Sequence, residues 1–235
     1  MSTIDRLLDE VRPEGVGPEG PGWQQRKSAQ TRAGVLDAAI ECIASHGYSN
    51  TTTQLIADTA NISRGAMLHH YPTRGELIRA IIAYCFYKRM QMLIEGVRNI
   101  SELQRIQEFA GLEILWNSFF TPEHRAYLEL NIAARTDAEV RENFAPQAKR
   151  FRKIWREAGV EIFPEWAANP ERLSSASDLV EAVLEGLALN KDAWDADDRV
   201  PRMRAFLRQM VGLVYAGELT FSDDRPRADR ATVPR

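Results

Sequence analysis

TTTQLIADTANISRGAMLHHYPTR, residues 51–74, is the stretch whose reading decides the fold. Thr51 followed three residues later by Gln54 is a capping-box signature and predicts a helix start. Leu55, Ile56 and Ala60 give that helix one apolar side. Asn61 is one of the few residues besides glycine that tolerates a left-handed backbone, so it suits a sharp helix exit. Ile62 plugs the corner, and Ser63 is a good N-cap for a second short helix, Arg64 to His70. That helix carries small or hydrogen-bonding groups, Arg64, Gly65, Ala66, His69 and His70, on its outer side. Two short helices joined by a tight turn, the second exposed and polar, form a shape that enters a DNA major groove.

Outward from this stretch, Arg26 to His46 reads as one helix, with Val35, Leu36, Ala39, Ile40 and Ile43 as its apolar stripe and Gly47 as its stop. Arg26, Lys27 and Arg32 crowd its first half. They suit either a phosphate backbone or a solvated basic face. After Tyr71 and Pro72, the pair Thr73 and Glu76 predicts a further cap for a long helix to about Gly96. Leu77, Ile78, Ile81, Ile82 and Cys85 make it amphipathic, and it links a small head to a larger body.

The body reads as wholly helical. Helices are expected over 101–120, 123–135 and 138–158, the last broken or kinked at Pro146. Two more are expected over 171–191 and 199–217. Met203, Phe206, Leu207, Met210, Val211 and Val214 give the last one the cleanest helical stripe in the chain. Gly186, costly inside a helix, suggests close approach of another backbone. Residues 1–25 hold two basic and five acidic side chains and a proline- and glycine-rich run. They read as a disordered tail, and residues 220–235 as a frayed one. The expected organisation is therefore all-α. A three-helix head spans 26–88, with its helix–turn–helix at about 51–70, and a helical domain spans 89–219.

Bulk properties narrow the function. The chain has 235 residues, 44% of them hydrophobic, and a net charge of −3. Residues 26–80 are weakly positive, with six basic and four acidic side chains on an acidic body, as suits a DNA-binding head. Cys42 and Cys85 fall in apolar helical patterns and read as small hydrophobes in a reducing compartment. No leader-like apolar run opens the chain, and no uncharged segment approaches the ~20 residues of a membrane span, so a cytoplasmic protein is expected. GxSxG, a P-loop and a zinc-type cysteine cluster are all missing from the sequence. No enzyme, cofactor or metal site is therefore expected. Adjacent His69 and His70 diverge by about 100° on a helix, which argues against a shared metal. His46 and His124 read as surface or cap residues.

The set Ala38–Ala39, Gly47–Tyr48, Thr51–Thr52, Ile56–Ala57, Ile62–Ser63, Gly65, His70–Tyr71, Arg74 and Leu77 resembles the N-terminal head of TetR-family transcriptional regulators over about residues 28–88. The resemblance implies a homodimer that binds a palindromic operator on double-stranded DNA, usually as a repressor. It also implies a body whose small-molecule effector shifts the long linking helix. It maps DNA contacts onto Thr51, Thr52, Gln54, Arg64, Gly65, Ala66, His69, His70, Tyr71 and Arg74. Three positions depart from the family pattern: Asn61 for glycine, Gly75 for an acidic or polar residue, and Leu68 for a tyrosine that reaches a phosphate.

In the body, Phe86, Tyr87, Trp116, Phe119, Phe120 and Tyr127 are the candidate lining of an apolar effector pocket, with plain core as the competing reading. Val180, Val183, Leu184, Leu187, Met203, Phe206, Met210 and Val214 are the candidate dimer seam, which the family resemblance favours over intramolecular core. A body that binds a protein partner in place of a small molecule is the alternative. A cavity distinguishes the first reading, and a filled core with an exposed apolar patch the second.

Overall fold

The computed structural model describes residues 3–17, 22–106, 109–194 and 198–219, and every regular element among them is helical. Helix α1 (Thr3–Val11) precedes the head, which is built from α2 (Trp23–His46), α3 (Thr53–Thr59) and α4 (Arg64–His70). The predicted stripe of α2 is fully buried, and Gly47 closes the helix at φ 79 with its N–H on the Ile43 carbonyl. The cap of α3 sits one residue later than the sequence suggests. Thr52 Oγ1 accepts the Leu55 N–H at 3.1 Å, while Thr51 donates to the Gly47 carbonyl and Gln54 to Asp58. No reciprocal capping box forms, because both of its members are engaged elsewhere. Asn61 is left-handed at φ 54, and Ser63 Oγ caps α4 through the Ala66 N–H at 3.1 Å.

Thr73 caps α5 (Arg74–Arg98), the helix that runs from head to body. The body continues with α6 (Glu102–Ile106), α7 (Ala110–Ser118), α8 (Pro122–Ala133) and α9 (Ala138–Ile162), then α10 (Pro170–Leu189), α11 (Lys191–Trp194) and α12 (Arg199–Ala216). The single helix expected over 101–120 is divided, and Phe109 re-enters at φ 49 as the N-cap of α7. Pro146 lies inside α9 without ending it. A Cβ on Gly186 would meet nothing within 4 Å, so the close backbone approach expected there does not occur within this chain.

Three apolar clusters hold the molecule. The first fuses α2–α4 with the near half of α5 and with Ala126, Leu130, Val140 and Phe144 of the body, so head and body share one core. The second joins α7, α10 and α12. The third departs from the sequence reading of a disordered start. Ile4, Leu7, Leu8 and Val11 form a helical stripe on α1 that packs on Met90, Ile94 and Val97 of α5 and on Ile154, Ala158 and Ile162 of α9. Leu7 is 1% exposed, and Arg98 Nη2 lies 2.9 Å from Asp5. A short periodic stripe suffices to dock a helix, and averaging composition over a longer acidic, glycine-rich window hides it. Val16 then enters the head's core. Of the tails expected at 1–25 and 220–235, residues 1–2, 18–21 and 220–235 lie outside the described residues, and residues 23–25 already belong to α2. Among those described, no helix is long and apolar enough to cross a membrane.

Candidate nucleic-acid interface

Helix α4 is too short to stand alone. Its caps and Met67, which is fully buried among Ile56, Ala57 and the α2 core, hold it in place. With Met67 turned inward, Arg64, Gly65, Ala66, Leu68 and His69 are exposed, and His70 half so. Thr52, Gln54 and Arg74 are exposed nearby, at the ends of the adjoining helices. Gly65 meets almost nothing where a Cβ would stand, leaving a low surface for a close neighbour. Arg74 donates to Tyr48 Oη at 3.1 Å and lies 4.0 Å from Glu139, yet its side chain remains 63% exposed. Tyr48 also bonds Asp137 at 3.4 Å, so Arg74 sits on a polar node joining head and body.

Two nominated residues lie differently from the rest. Tyr71 is 7% exposed, and its hydroxyl donates to the Arg32 carbonyl at 3.4 Å, with burial pushing its pKa up to about 12. Its ring therefore braces α4 against α2 and is not part of the exposed face. Thr51 is half-buried and spends its hydroxyl on Gly47, whereas Thr52 faces out. Burial, then the nearby Arg32 and His69, lower the pKa of His70, which favours a neutral ring able to donate and accept.

Residues 35–81 match the family model described as bacterial regulatory proteins, tetR family. Over these residues the chain is similar to the TetR-family DNA-binding head. An uncharacterised HTH-type transcriptional regulator of Mycobacterium tuberculosis is 25% identical over 193 residues, spanning 78% of this chain and 96% of the relative. The HTH-type transcriptional repressor AcnR of Corynebacterium efficiens is 26% identical over 119 residues, 49% of this chain and 56% of its own. The crystal structure of a transcriptional regulator from Rhodococcus sp. Rha1 superposes with a TM-score of 0.58 at 17% identity, covering 81% of this chain and 99% of that one, a likeness of fold. The matched head and the named relatives are those of DNA-binding transcription regulators.

The body holds a cavity of about 340 Å³ between α5, α9 and α10, and an adjoining one of about 110 Å³ towards α7. Arg89, Phe151, Trp155, Phe163 and Glu181 line both. Of the aromatics nominated from sequence, Phe86 and Tyr127 reach the larger cavity. Trp116, Phe119 and Phe120 instead belong to the second cluster, where Trp116 meets Phe120 edge-on at 5.0 Å. Tyr87 turns towards Tyr84 and Arg12. The missed lining had a readable signal. Phe151, Trp155 and Gly159 repeat every fourth residue on α9, and Arg89 falls on the apolar stripe of α5.

His124, expected at the surface, is 3% exposed, edge-on to Phe119 at 4.6 Å and 3.5 Å from Glu185. Burial first, and Arg89 second, push its pKa down to about 3. The candidate seam divides as well. Val180, Leu184, Leu187 and Val214 are buried in the chain's own second cluster. Val183, Met203 and Met210 are half-buried and Phe206 is 54% exposed, beside exposed Leu189 and Leu213.

Proposed function

We propose that the chain acts as a homodimeric repressor that reads a palindromic operator through α4 and is released from it by a small molecule held in the body. The observation that carries the DNA reading is the outward face of α4, with Arg64, Gly65, Ala66, His69 and His70 held over buried Met67. Thr52, Gln54 and Arg74 suit phosphate or edge contacts at its rim. Half-sites are expected about 34–36 Å apart, or slightly more, to match two recognition helices on one side of the duplex. Mapping the bound DNA across a genome tests this reading, because a regulator of this kind recovers a palindrome and a protein without sequence preference does not.

Arg64→Ala is expected to cost roughly 1–3 kcal/mol on the operator if the guanidinium makes a bidentate base contact. Titrations on operator and random DNA decide the role. Equal losses on both identify a phosphate contact, which carries no sequence information.

Leu68 is 36% exposed, so its position has room for a ring. Leu68→Tyr is expected to tighten binding to operator and random DNA alike by about 0.5–1.5 kcal/mol, the net scale of one hydrogen bond, with the specificity ratio unchanged. Weaker binding together with a lower melting temperature would show the ring overpacking the head and sink the contact.

The cavity of about 340 Å³ supports the effector reading over a protein-binding body, since it falls in the range of small-molecule sites. It abuts α5, which begins at the head with Arg74 and lines the cavity with Phe86 and Arg89. A ligand there is expected to weaken operator affinity by about 1–3 kcal/mol, or ~five- to 150-fold. Fluorescence anisotropy of labelled operator across a metabolite panel measures it, and a panel that never releases the DNA counts against a small-molecule effector.

A further inference from the structure

Arg89 is an unusual wall for an apolar cavity. It is 3% exposed, its Cζ lies 3.9 Å from the centroid of the Tyr127 ring, and Phe151 stands at 5.7 Å. Among the described residues its ion-pair partner is Glu181, whose Oε1 lies 3.6 Å from Nη2, beyond hydrogen-bond reach, and the Tyr127 hydroxyl and the Glu185 carboxylate also share its charge. The Glu181 side chain is 39% exposed, at the solvent edge of the cavity wall. A buried guanidinium is costly unless its fork of N–H donors is met by acceptors. A planar carboxylate matches that fork two bonds at a time.

We propose that the cavity takes an organic anion, an aromatic or medium-chain carboxylate whose head displaces Glu181 from Arg89 and whose apolar part lies among Phe151, Trp155 and Phe163. The assignment rests on the effector reading above and specifies the ligand's chemistry. Glu185 is a second carboxylate that feels the Arg89 charge, so a ligand's head competes with it as well as with Glu181. Arg105 and Glu165, in the smaller lobe, face each other at 3.6 Å and offer one sign each. At the outer wall Arg156 lies 3.6 Å from Asp178, with Arg152 and Glu171 nearby and exposed. A cationic ligand would have to approach the Arg89 guanidinium with Glu181 already facing it. The anion also acts where regulation needs it. Arg89 belongs to the helix that starts at Arg74, roughly 22 Å away along its axis.

The test measures calorimetric binding of a matched panel to the full-length protein. The panel is 2-naphthoate and octanoate, their neutral amides, and the corresponding primary ammonium compounds. Both carboxylates are expected to bind roughly tenfold or more tightly than their amides. Arg89→Gln should erase that preference while leaving amide affinity in place, and Glu181→Gln should tighten the carboxylates by freeing the guanidinium. Should Arg89→Gln fail to fold, Glu181→Gln carries the decision, since its side chain is partly solvent-exposed. Equal affinity for amides and carboxylates overturns the anion while leaving a ligand site. Preference for the ammonium compounds, lost in Glu181→Gln, overturns it in favour of a cation. If nothing in the panel binds, the anion assignment falls, while the effector reading is decided separately by operator release across the wider metabolite panel.

Discussion

Replacing Phe206 and Met210 together with aspartate is expected to yield a monomer that loses operator affinity by roughly 10²–10⁴-fold, the scale set by linking two binding modules. The argument begins with what α12 leaves uncovered. Leu207, Val211 and Val214 are buried in the second cluster, while Phe206 is 54% and Leu213 40% exposed, with Met210 between them. On α10, Val183 and exposed Leu189 flank Gly186, where an added Cβ would meet open space. An apolar strip on two neighbouring helices, with a low point in the middle, suits a copy of itself packed across a two-fold axis. Two carboxylates in that strip would be buried unpaired on association, whereas in the monomer they stay in water and leave the intramolecular core intact. Analytical ultracentrifugation with a melting curve separates these outcomes. A folded double variant that still sediments as a dimer removes the seam from α10 and α12. A Phe206→Ala and Met210→Ala pair should weaken the dimer less, because it removes area without adding charge.

How far the sequence could be read follows from the range of the forces involved. The turn at Asn61 and the caps Ser63 and Thr73 are local hydrogen-bonding and backbone preferences, and the structure keeps all three. At α3 the same reasoning slipped by one residue, because adjacent threonines offer the same hydroxyl and only Tyr48–Gly47 geometry decides which one caps. The exposed face of α4 was legible from residue types, but Tyr71 was not. Its inward turn depends on a carbonyl in α2, far away in sequence. The cavity was the least legible, since α5, α9 and α10 each contribute one side and no single periodicity records that they fail to fill the space between them. Aromatics crowded on α7, by contrast, found partners in α10 and α12 and became core. The buried Arg89 marks the difference: a charge on an otherwise apolar stripe is visible in the sequence before any contact is known.

The other large effect expected is on stability. Met67→Ala should cost about 2–5 kcal/mol, the range for truncating a buried large side chain. Met67 is wholly buried in a helix of seven residues, where loss of the Ser63 cap would cost only ~1 kcal/mol. Burial of this one side chain therefore outweighs the cap in fixing α4. A second question is whether the loss stays in the head. If α3 and α4 opened alone they would uncover Ile56, Ala57 and the facing α2 residues, which belong to the same cluster as Leu130, Val140 and Phe144 of the body. Opening the head thus exposes core that the body also relies on, and it saves little over unfolding the whole. The variant is expected to melt in a single transition, lowered by about 2–4 °C for each kcal/mol lost. Operator affinity at temperatures well below that transition should change little, because the outward face of α4 is untouched. Circular dichroism and operator binding followed along the same temperature ramp make the comparison. DNA binding that disappears while the melt stays at its wild-type position would show α4 opening on its own, and would overturn the shared core as the source of its order.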